Sequence, residues 1–526
     1  MRKDFDLSVQ GSLKLSELSS DKVGKVYEFK ARVESIYQTS GPTVFDLYDG
    51  TSRVRSVAFN NGQRAYPKIN DGNFVKVDAR IKDRNNSLEL EIINAKILDD
   101  SDKALVMSKI DSRIEKKIAP ALNDFLIESD VLNRLKPRFI EAARMIKRAV
   151  SMARPIILRH HFDCDGYSAA IAIERAVLPM IEKVHKSSNL NWKYYRRAPS
   201  NRPFYGYDDV TKDLGLMIND MRGSNLVESL IVIVDNGSTE EDLLAIKKAK
   251  IYGCQIIVVD HHFPGEIKDG FVAVDPFVDV HINPYLAGGD SNLCAGMLST
   301  ELSRFISGDN DSVNYLAGLA GVGDRVSGNE FDSYLKISEE LGYSKEFLAK
   351  LAEVIDFESS SLRNFESRGY VDDLMGADKN VQERLVGLIS EEIENRKKNR
   401  MKNLIHFVNV DELSDRVIAK IDLKSTTNIG FPSMGKSTGM LFDYLKENYD
   451  KPVFVVGYSD TLLVLRMSDK VRFNLNTMIS ELAMKYDYAS IEGGGHEHAG
   501  SVKFISKMRP VILDEIFGYF KNAELN

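Results

Sequence analysis

Gln255-Ile256-Ile257-Val258-Val259-Asp260-His261-His262 decides the fold. A short run rich in β-branched residues reads as a strand buried on both faces of a parallel sheet. The acid and two imidazoles fall where that strand emerges, the edge at which open α/β sheets keep their ligands.

Two earlier stretches repeat the pattern. Leu230-Ile231-Val232-Ile233-Val234 runs into Asp235-Asn236-Gly237, and Pro155-Ile156-Ile157-Leu158 into His160-His161-Phe162-Asp163-Cys164-Asp165-Gly166. Side chains alternate along an extended chain, so His161, Asp163 and Asp165 are expected to point the same way. His160 competes with His161 for the ligand role, and strand parity favours His161. Tyr167 to Lys183 reads as a helix, making Asp163 to Gly166 a strand-to-helix turn whose helix N-terminus can receive a phosphate. Farther on, the apolar segment Ala317 to Val322 leads into Gly323-Asp324.

His161, Asp163, Asp165, Asp235, His261 and Asp324 are therefore expected at one sheet edge. Carboxylates with imidazole and no thiolate favour Mn²⁺ or Mg²⁺ over a structural zinc, and these are too many ligands for one open catalytic ion. Two ions, typically about 3.5 to 4 Å apart, activate a water and clamp both oxygens of a phosphoryl displacement. Hydrolysis of a phosphate ester is the reaction this pattern implies.

At 526 residues the chain exceeds one core, and roughly three or four domains are expected. Its 43% hydrophobic and 28% charged residues are those of an ordinary globular protein. No apolar stretch is long enough to span a bilayer and Met1 to Asp6 holds no signal core, so a cytoplasmic protein without membrane association is expected. Cys164, Cys254 and Cys294 form no metal-type pair and read as reduced core residues. A net charge of −7 excludes a general polyanion binder and confines any nucleic-acid surface to a local patch.

Before the α/β region, five strands are expected at Lys25 to Tyr37, Thr43 to Tyr48, Arg53 to Phe59, Asn73 to Ile81 and Ser87 to Leu98. Turn signals separate them, among them Asp49-Gly50 and Asn85-Asn86, and polar Gly62 to Lys68 stands where an OB-fold places its helix. Arg32, Arg53, Arg55, Lys76, Arg80, Lys82 and Arg84 lie among Tyr27, Phe29, Tyr37, Phe45, Tyr48, Phe59 and Phe74, a composition suited to single-stranded nucleic acid. Helical spacing follows from Ala104 to Met152. Lys193 to Tyr207, dense in Arg and Tyr, reads as a polyphosphate path beside the metal edge or as a solvated loop.

Beyond the α/β region, helices are expected from Phe331 to Asn403, ending in the basic run Arg396 to Arg400, most simply a solvated helix end. The last module carries strands at Val417 to Leu423, Val453 to Val456 and Thr461 to Met467, then Glu492-Gly493-Gly494-Gly495-His496. The three glycines are expected to form a backbone nest for an anion, with His496 donating to the same phosphate. Gly430 to Ser437 satisfies a P-loop pattern, but its strand ends several residues early and Pro432 interrupts it, so the match reads as coincidence.

His161-Phe162-Asp163-Cys164-Asp165-Gly166, Val234-Asp235-Asn236-Gly237, Asp260-His261-His262, Gly323-Asp324 and Gly493-Gly494-Gly495-His496 together resemble, in order, the motifs of the DHH phosphoesterase superfamily with its C-terminal associated domain. Asn201-Arg202, Tyr205-Gly206-Tyr207 and Asn283-Pro284 resemble RecJ-type nucleases, and a preceding OB-like segment resembles their archaeal form.

The resemblance implies a doubly wound, mostly parallel α/β sheet, a smaller α/β C-terminal domain and an N-terminal β-barrel. Expected bounds are 1–100 for the OB-fold, 101–152 for a helical connector, 153–328 for the catalytic domain, 329–403 for a helical linker and 404–526 for the associated domain.

It implies Asp235 bridging two Mn²⁺ or Mg²⁺ ions, His161 and Asp163 on the first, and Asp165, His261 and Asp324 on the second. His262 joins Asp235 in the catalytic set, with Asp260 orienting. Arg202, Arg466, Gly493, Gly494, Gly495 and His496 bind substrate. The function implied is a metal-dependent exonuclease on single-stranded DNA or RNA, with replication or repair proteins as partners. The alternatives are an oligoribonuclease or cyclic-dinucleotide phosphodiesterase, and a non-catalytic replication-fork scaffold.

Overall fold

A computed structural model describes residues 8–525 apart from 85–86, 186–190, 201, 203, 225–226, 269, 363–367, 427–429, 469–470, 473 and 497. The Asn85-Asn86 turn and Asn201 lie outside the described residues. The chain divides into two units, Met1–Gln382 and Glu383–Asn526.

The first unit begins with a barrel. Strands β1 (Val9–Ser12), β2 (Val26–Gln38), β3 (Thr43–Tyr48), β4 (Arg53–Ala58), β5 (Phe74–Arg84) and β6 (Ser87–Ile97) follow the order β1-β2-β3-β4-β6-β5. Long β2 also pairs with β5 along its first half, which closes five strands on themselves around Phe29, Val33, Phe45, Val77 and Ile81. Gly62 to Lys68 forms turns, not the expected helix. Helix α1 (Asp100–Ile118) follows the barrel instead and lays Val106, Ile110, Ile114 and Ile118, spaced four apart on one stripe, over Tyr48 and Phe74.

Helix α2 (Asp130–Ser151) leads into the α/β region. Its order is β7 (Ile156–His160), α3 (Cys164–His185), α4 (Asn191–Tyr194), β8 (Tyr195–Pro199), α5 (Tyr207–Ser224), β9 (Leu230–Val234), α6 (Leu243–Ile251), β10 (Gln255–Val259) and β11 (Val280–Ile282). All five strands are parallel in the order β11-β10-β9-β7-β8.

Alternation divides each strand between two cores. Leu230, Val232 and Val234 join Ile257 and Val259 beneath α2, α3, α7 (Ala295–Ser307) and α8 (Asp311–Gly323). Ile231, Ile233, Ile256 and Val258 face α5 and α6. Each such buried side chain contributes about 1.5–3 kcal/mol. Chain order departs from β7 in both directions, so the sheet's switch point lies between β7 and β9, where a doubly wound sheet opens its ligand crevice. Helices α9 (Asn329–Glu340), α10 (Lys345–Leu362) and α11 (Arg368–Leu374) follow, and α12 (Lys379–Phe407) contains the division.

The second unit is a mixed sheet of β12 (Asn409–Glu412), β13 (Val417–Asp422), β14 (Val453–Tyr458), β15 (Leu462–Met467), β17 (Glu492–His496) and β18 (Ala499–Lys503), with a small ribbon of β16 (Val471–Arg472) and β19 (Glu524–Leu525). Helices α13 (Met434–Asn448), α14 (Leu475–Lys485) and α15 (Arg509–Asn522) cover it.

Here the glycine nest must be corrected. Gly493, Gly494 and Gly495 lie in β17, paired with Val502, Ser501 and Gly500 of β18, so their backbone is extended at a sheet edge and not folded into a nest. The glycine at 493 has a packing cause, because a Cβ there would stand 2.3 Å from the carbonyl oxygen of Ser501. The P-loop reading fails as expected: the Ser437 hydroxyl is buried, donating to the Pro432 carbonyl and accepting from Arg400 Nε. Arg400, expected in a solvated helix end, is accordingly buried.

Candidate metal centre

The centre forms at the switch point. β7 ends at His160 and α3 starts at Cys164, so His161 and Asp163 occupy the turn between them while Asp165 sits in the first helical turn. The expected extended alternation is therefore wrong: the three side chains converge because the chain reverses there. Gly166 permits the reversal, since a Cβ would lie 2.2 Å from the His161 carbonyl oxygen. Asp324, expected at the sheet edge, arrives from elsewhere as the C-cap of α8.

Of the two competing histidines, His161 lies among the candidate ligand atoms. His160 is buried edge-on against Tyr167, and burial, helped by Arg197, pushes its pKa down to about 3, so it stays a neutral core residue.

Three overlapping groups of ligand atoms result, His161 with Asp163 and Asp235, Asp165 with His261 and Asp324, and Asp235 with His261 and His262. His161 Nδ1 lies 2.6 Å from Asp163 Oδ2 and 3.5 Å from Asp235 Oδ2. His261 Nε2 lies 3.4 Å from Asp235 Oδ1, 3.2 Å from Asp324 Oδ2 and 3.7 Å from Asp165 Oδ2. Asp235 thus turns Oδ2 toward His161 and Oδ1 toward His261. It follows β9 directly and holds a left-handed φ of +56°, a conformation that Asp tolerates better than most residues.

The surroundings fix these side chains. Asp165 accepts the Ala295 and Gly296 amides at the start of α7, at 2.9 and 2.7 Å. His261 Nδ1 lies 2.9 Å from the Ser291 carbonyl oxygen; donation there keeps Nε2 turned toward the carboxylates, where it can serve as a ligand once it gives up its proton. Asp260 Oδ1 accepts from the His261 amide and from His262 Nδ1 at 2.8 Å, and its Oδ2 from the Ser238 amide.

Behind Asp260 runs a chain that sequence reading missed. Asp275 Oδ1 lies 2.7 Å from His281 Nδ1, His281 Nε2 lies 2.9 Å from Ser238 Oγ, and Asn283 Nδ2 donates to Ser238 Oγ and to the His262 carbonyl. Only the parallel pairing of β11 with β10 brings His281 beside Val258, so no local signal marked it.

Electrostatics at the centre call for cations. Burial first, then neighbouring acids, pushes Asp165 and Asp324 up to about 7, and burial also raises Asp235. Burial alone would raise Asp163 as well, but His161 holds it below the usual carboxylate range. Burial opposes charging of the histidines, yet Asp260 raises His262 to about 9, and the surrounding carboxylates raise His161 and His261 well above the ordinary imidazole value. Asp235 Oδ2 is buried without a hydrogen bond. Hard oxygens with imidazole nitrogens and one unmatched carboxylate oxygen fit divalent cations of the Mn²⁺ or Mg²⁺ type.

The remaining expected site residues are not among these ligand groups. Arg202 is exposed in the loop after β8, its guanidinium 5.6 Å from the Phe204 ring centroid and 3.7 Å from Asp208. Among its neighbours Tyr195 and Tyr205 are buried and Arg197 pairs with Glu174 within the core, while Tyr207 is exposed. Arg466 lies on β15 and donates to the Leu465 carbonyl, and His496 ends β17, both in the second unit.

The barrel's seven noted cations all pair with glutamates: Arg32 and Arg53 with Glu34, Arg55 and Arg84 with Glu89, Lys76 with Glu28, Arg80 and Lys82 with Glu91. Phe29, Phe45, Tyr48 and Phe74 are core, while Tyr37 and Phe59 are exposed. Cys164, Cys254 and Cys294 are buried and free. No helix among the described residues is long and apolar enough to cross a membrane.

Comparison with known proteins agrees with this architecture. The DHH family, N-terminal domain, matches residues 155–302, and an OB-fold nucleic acid binding domain matches residues 27–99. An uncharacterized protein of Methanocaldococcus jannaschii is 39% identical over 528 residues, 95% of this chain and 69% of the relative. A solved DHH domain, described as a member of the S1p family of ribosomal proteins, is 38% identical with a TM-score of 0.75, covering 79% of this chain and 97% of that one. Exonuclease RecJ bound to manganese is 15% identical with a TM-score of 0.51, covering 76% and 96% of the two chains, and shares the fold.

Proposed function

The chain belongs to the DHH family, and on that footing we propose that it is a metal-dependent phosphodiesterase, a RecJ-like exonuclease that hydrolyses single-stranded DNA or RNA from an end. The observation that carries this reading is Asp235, whose Oδ2 faces His161 and whose Oδ1 faces His261. His161, Asp163 and Asp235 would hold one cation, and Asp235, Asp165, His261 and Asp324 the other. Two such cations supply Lewis acidity to the phosphate and lower the pKa of an attacking water.

The chain's own residues do the rest. Asp260 takes the Nδ1 proton of His262 into a hydrogen bond, which orients the ring and leaves Nε2 to donate to a phosphate oxygen. With a pKa near 9, His262 carries that proton at neutral pH. Arg202, Arg466, Gly493, Gly494, Gly495 and His496 are assigned to substrate, the glycines by letting a strand's backbone approach it closely.

The barrel at 1–100 would retain the strand, the helices at 101–152 and 329–403 connect, and 153–328 and 404–526 are the catalytic and associated domains. Replication or repair proteins are the partners this activity would serve in the cytoplasm.

A second reading has one observation in its favour. The seven noted cations of the barrel are already paired with glutamates, which favours short oligoribonucleotides or cyclic dinucleotides over a tightly retained strand as substrates.

End-labelled single strands of DNA and RNA, and a dinucleotide, incubated with Mn²⁺, Mg²⁺ or chelator test both. Cation-dependent shortening that prefers the long strand is expected, and Asp235→Asn should abolish it. Preference for the dinucleotide selects the second reading. Cation-independent silence on every substrate leaves the non-catalytic scaffold.

A further inference from the structure

His262 is followed immediately by an aromatic ring that the protein does not bury: Phe263 is 62% exposed. Lone exposed apolar residues are ordinary, but this one is fixed. Pro264 after it is buried, and the Phe263 ring meets Tyr285 edge to face, centroids 5.4 Å apart with planes at 78°. Such a contact leaves at least one face of Phe263 open.

Asn283 ties this pair to the phosphate side of the centre. Its Oδ1 accepts the Tyr285 amide at 3.0 Å, and its Nδ2 donates to the His262 carbonyl at 3.0 Å. One buried side-chain amide therefore holds the segment carrying the imidazole and the segment carrying Tyr285 in a fixed relation.

Resting on the reading of a nucleic-acid phosphodiesterase, we propose that Phe263, backed by Tyr285, is the platform on which the base of the nucleotide beside the scissile phosphate stacks. Within one nucleotide the base is separated from its phosphate only by the sugar, and here the aromatic ring is separated from the phosphate-facing histidine only by one step of backbone. Stacking is indifferent to base identity because every base has a π-face. The platform thus senses that a base is present, without reading which one.

The test compares cleavage of a single-stranded oligonucleotide with strands carrying an abasic residue at the terminal or penultimate position of either end, in Mn²⁺. At one of these positions the natural chain should prefer the intact strand by about tenfold, the usual effect of one stacking contact. Phe263→Ala should bring that ratio to about one through a higher KM, and Phe263→Trp should keep it.

Stacking without turnover is read from the quenching of 2-aminopurine at that position on the Asp235→Asn chain, which adding Phe263→Ala should relieve. Equal cleavage of intact and abasic strands by the natural chain, or an unchanged ratio in Phe263→Ala, overturns the platform and leaves the nuclease reading standing. Phe263-dependent quenching without cleavage by the natural chain supports the platform and sinks the nuclease reading. Absence of both sinks the two together.

Discussion

The metal centre and the barrel treat charge in opposite ways. In the barrel every noted cation is met by a glutamate, as Arg53 is by Glu34 and Arg80 by Glu91. At the centre four carboxylates, Asp163, Asp165, Asp235 and Asp324, converge on the imidazoles of His161, His261 and His262, and two of the acids are raised to about 7. A surface that neutralises itself is complete without a ligand. Buried acids that converge without matching cations mark a place where positive charge must come from outside the chain.

The largest test of that contrast is Asp235→Asn. Losing the carboxylate that faces both His161 and His261 should lower cation-dependent phosphodiester cleavage on the order of a thousandfold, measured on end-labelled strands. The rise in Tm on adding Mn²⁺ should disappear as well, because a cation stabilises only as far as it binds the folded state. If the variant retains near-natural cleavage, the centre is no more specialised than the barrel.

Next comes the chain behind Asp260. Ser238→Ala leaves His281 Nε2 and Asn283 Nδ2 without their shared partner, and a loss of about 10- to 100-fold in kcat is expected, the usual effect of loosening a group that orients a metal-site residue. Ser238→Thr, which keeps the hydroxyl, should recover most of it. Equal loss in both variants would mean a packing defect.

A smaller effect concerns pH. The carboxyls of Asp165 and Asp324 have pKa values raised from 3.8 to about 7, so the folded chain binds protons there that the unfolded chain has released. Their stabilising effect is full below about pH 4 and fades as pH rises through about 7. His262, raised from 6.5 to about 9, contributes fully below its unfolded value and loses its contribution as pH rises through about 9. The metal-free chain should therefore melt at a lower temperature at pH 8 than at pH 6. The Mn²⁺-induced increase in Tm should be larger at pH 8, since the ligands are then free of protons. Scanning fluorimetry with and without chelator checks both.

The smallest effect is expected in the barrel. Glu34→Gln releases Arg32 and Arg53 from their shared partner, and single-strand affinity should rise about two- to fivefold with a steeper salt dependence. Stability should change by less than about 1 kcal/mol, as for other partly exposed pairs. An unchanged affinity in fluorescence anisotropy would place the strand away from this face.

Much of this was legible in the chain. The β-branched runs at 230–234 and 255–259 could only be strands buried on both faces, and acids at their ends had to emerge at one edge of a parallel sheet. The barrel's strands were equally open to reading, because turn residues and alternation are local. What misled was local too. His161, Asp163 and Asp165 share a spacing that suits an extended chain, but a helix starts at Cys164 and ends the extension. The glycines at 493–495 suggest a turn, yet the ladder with β18 claims them.

Sequence by itself determined the chemistry available: which oxygens and nitrogens exist, that no thiolate belongs among them, and which apolar runs must be buried. Stereochemistry within a few residues is enough for that. Only the tertiary structure decided that Asp235 divides its oxygens between His161 and His261, that a helix end supplies Asp324, and that Asn283 joins His262 to an aromatic pair. Each of these depends on packing between residues far apart in the chain, where the geometry is set by the whole core and by no single segment of it.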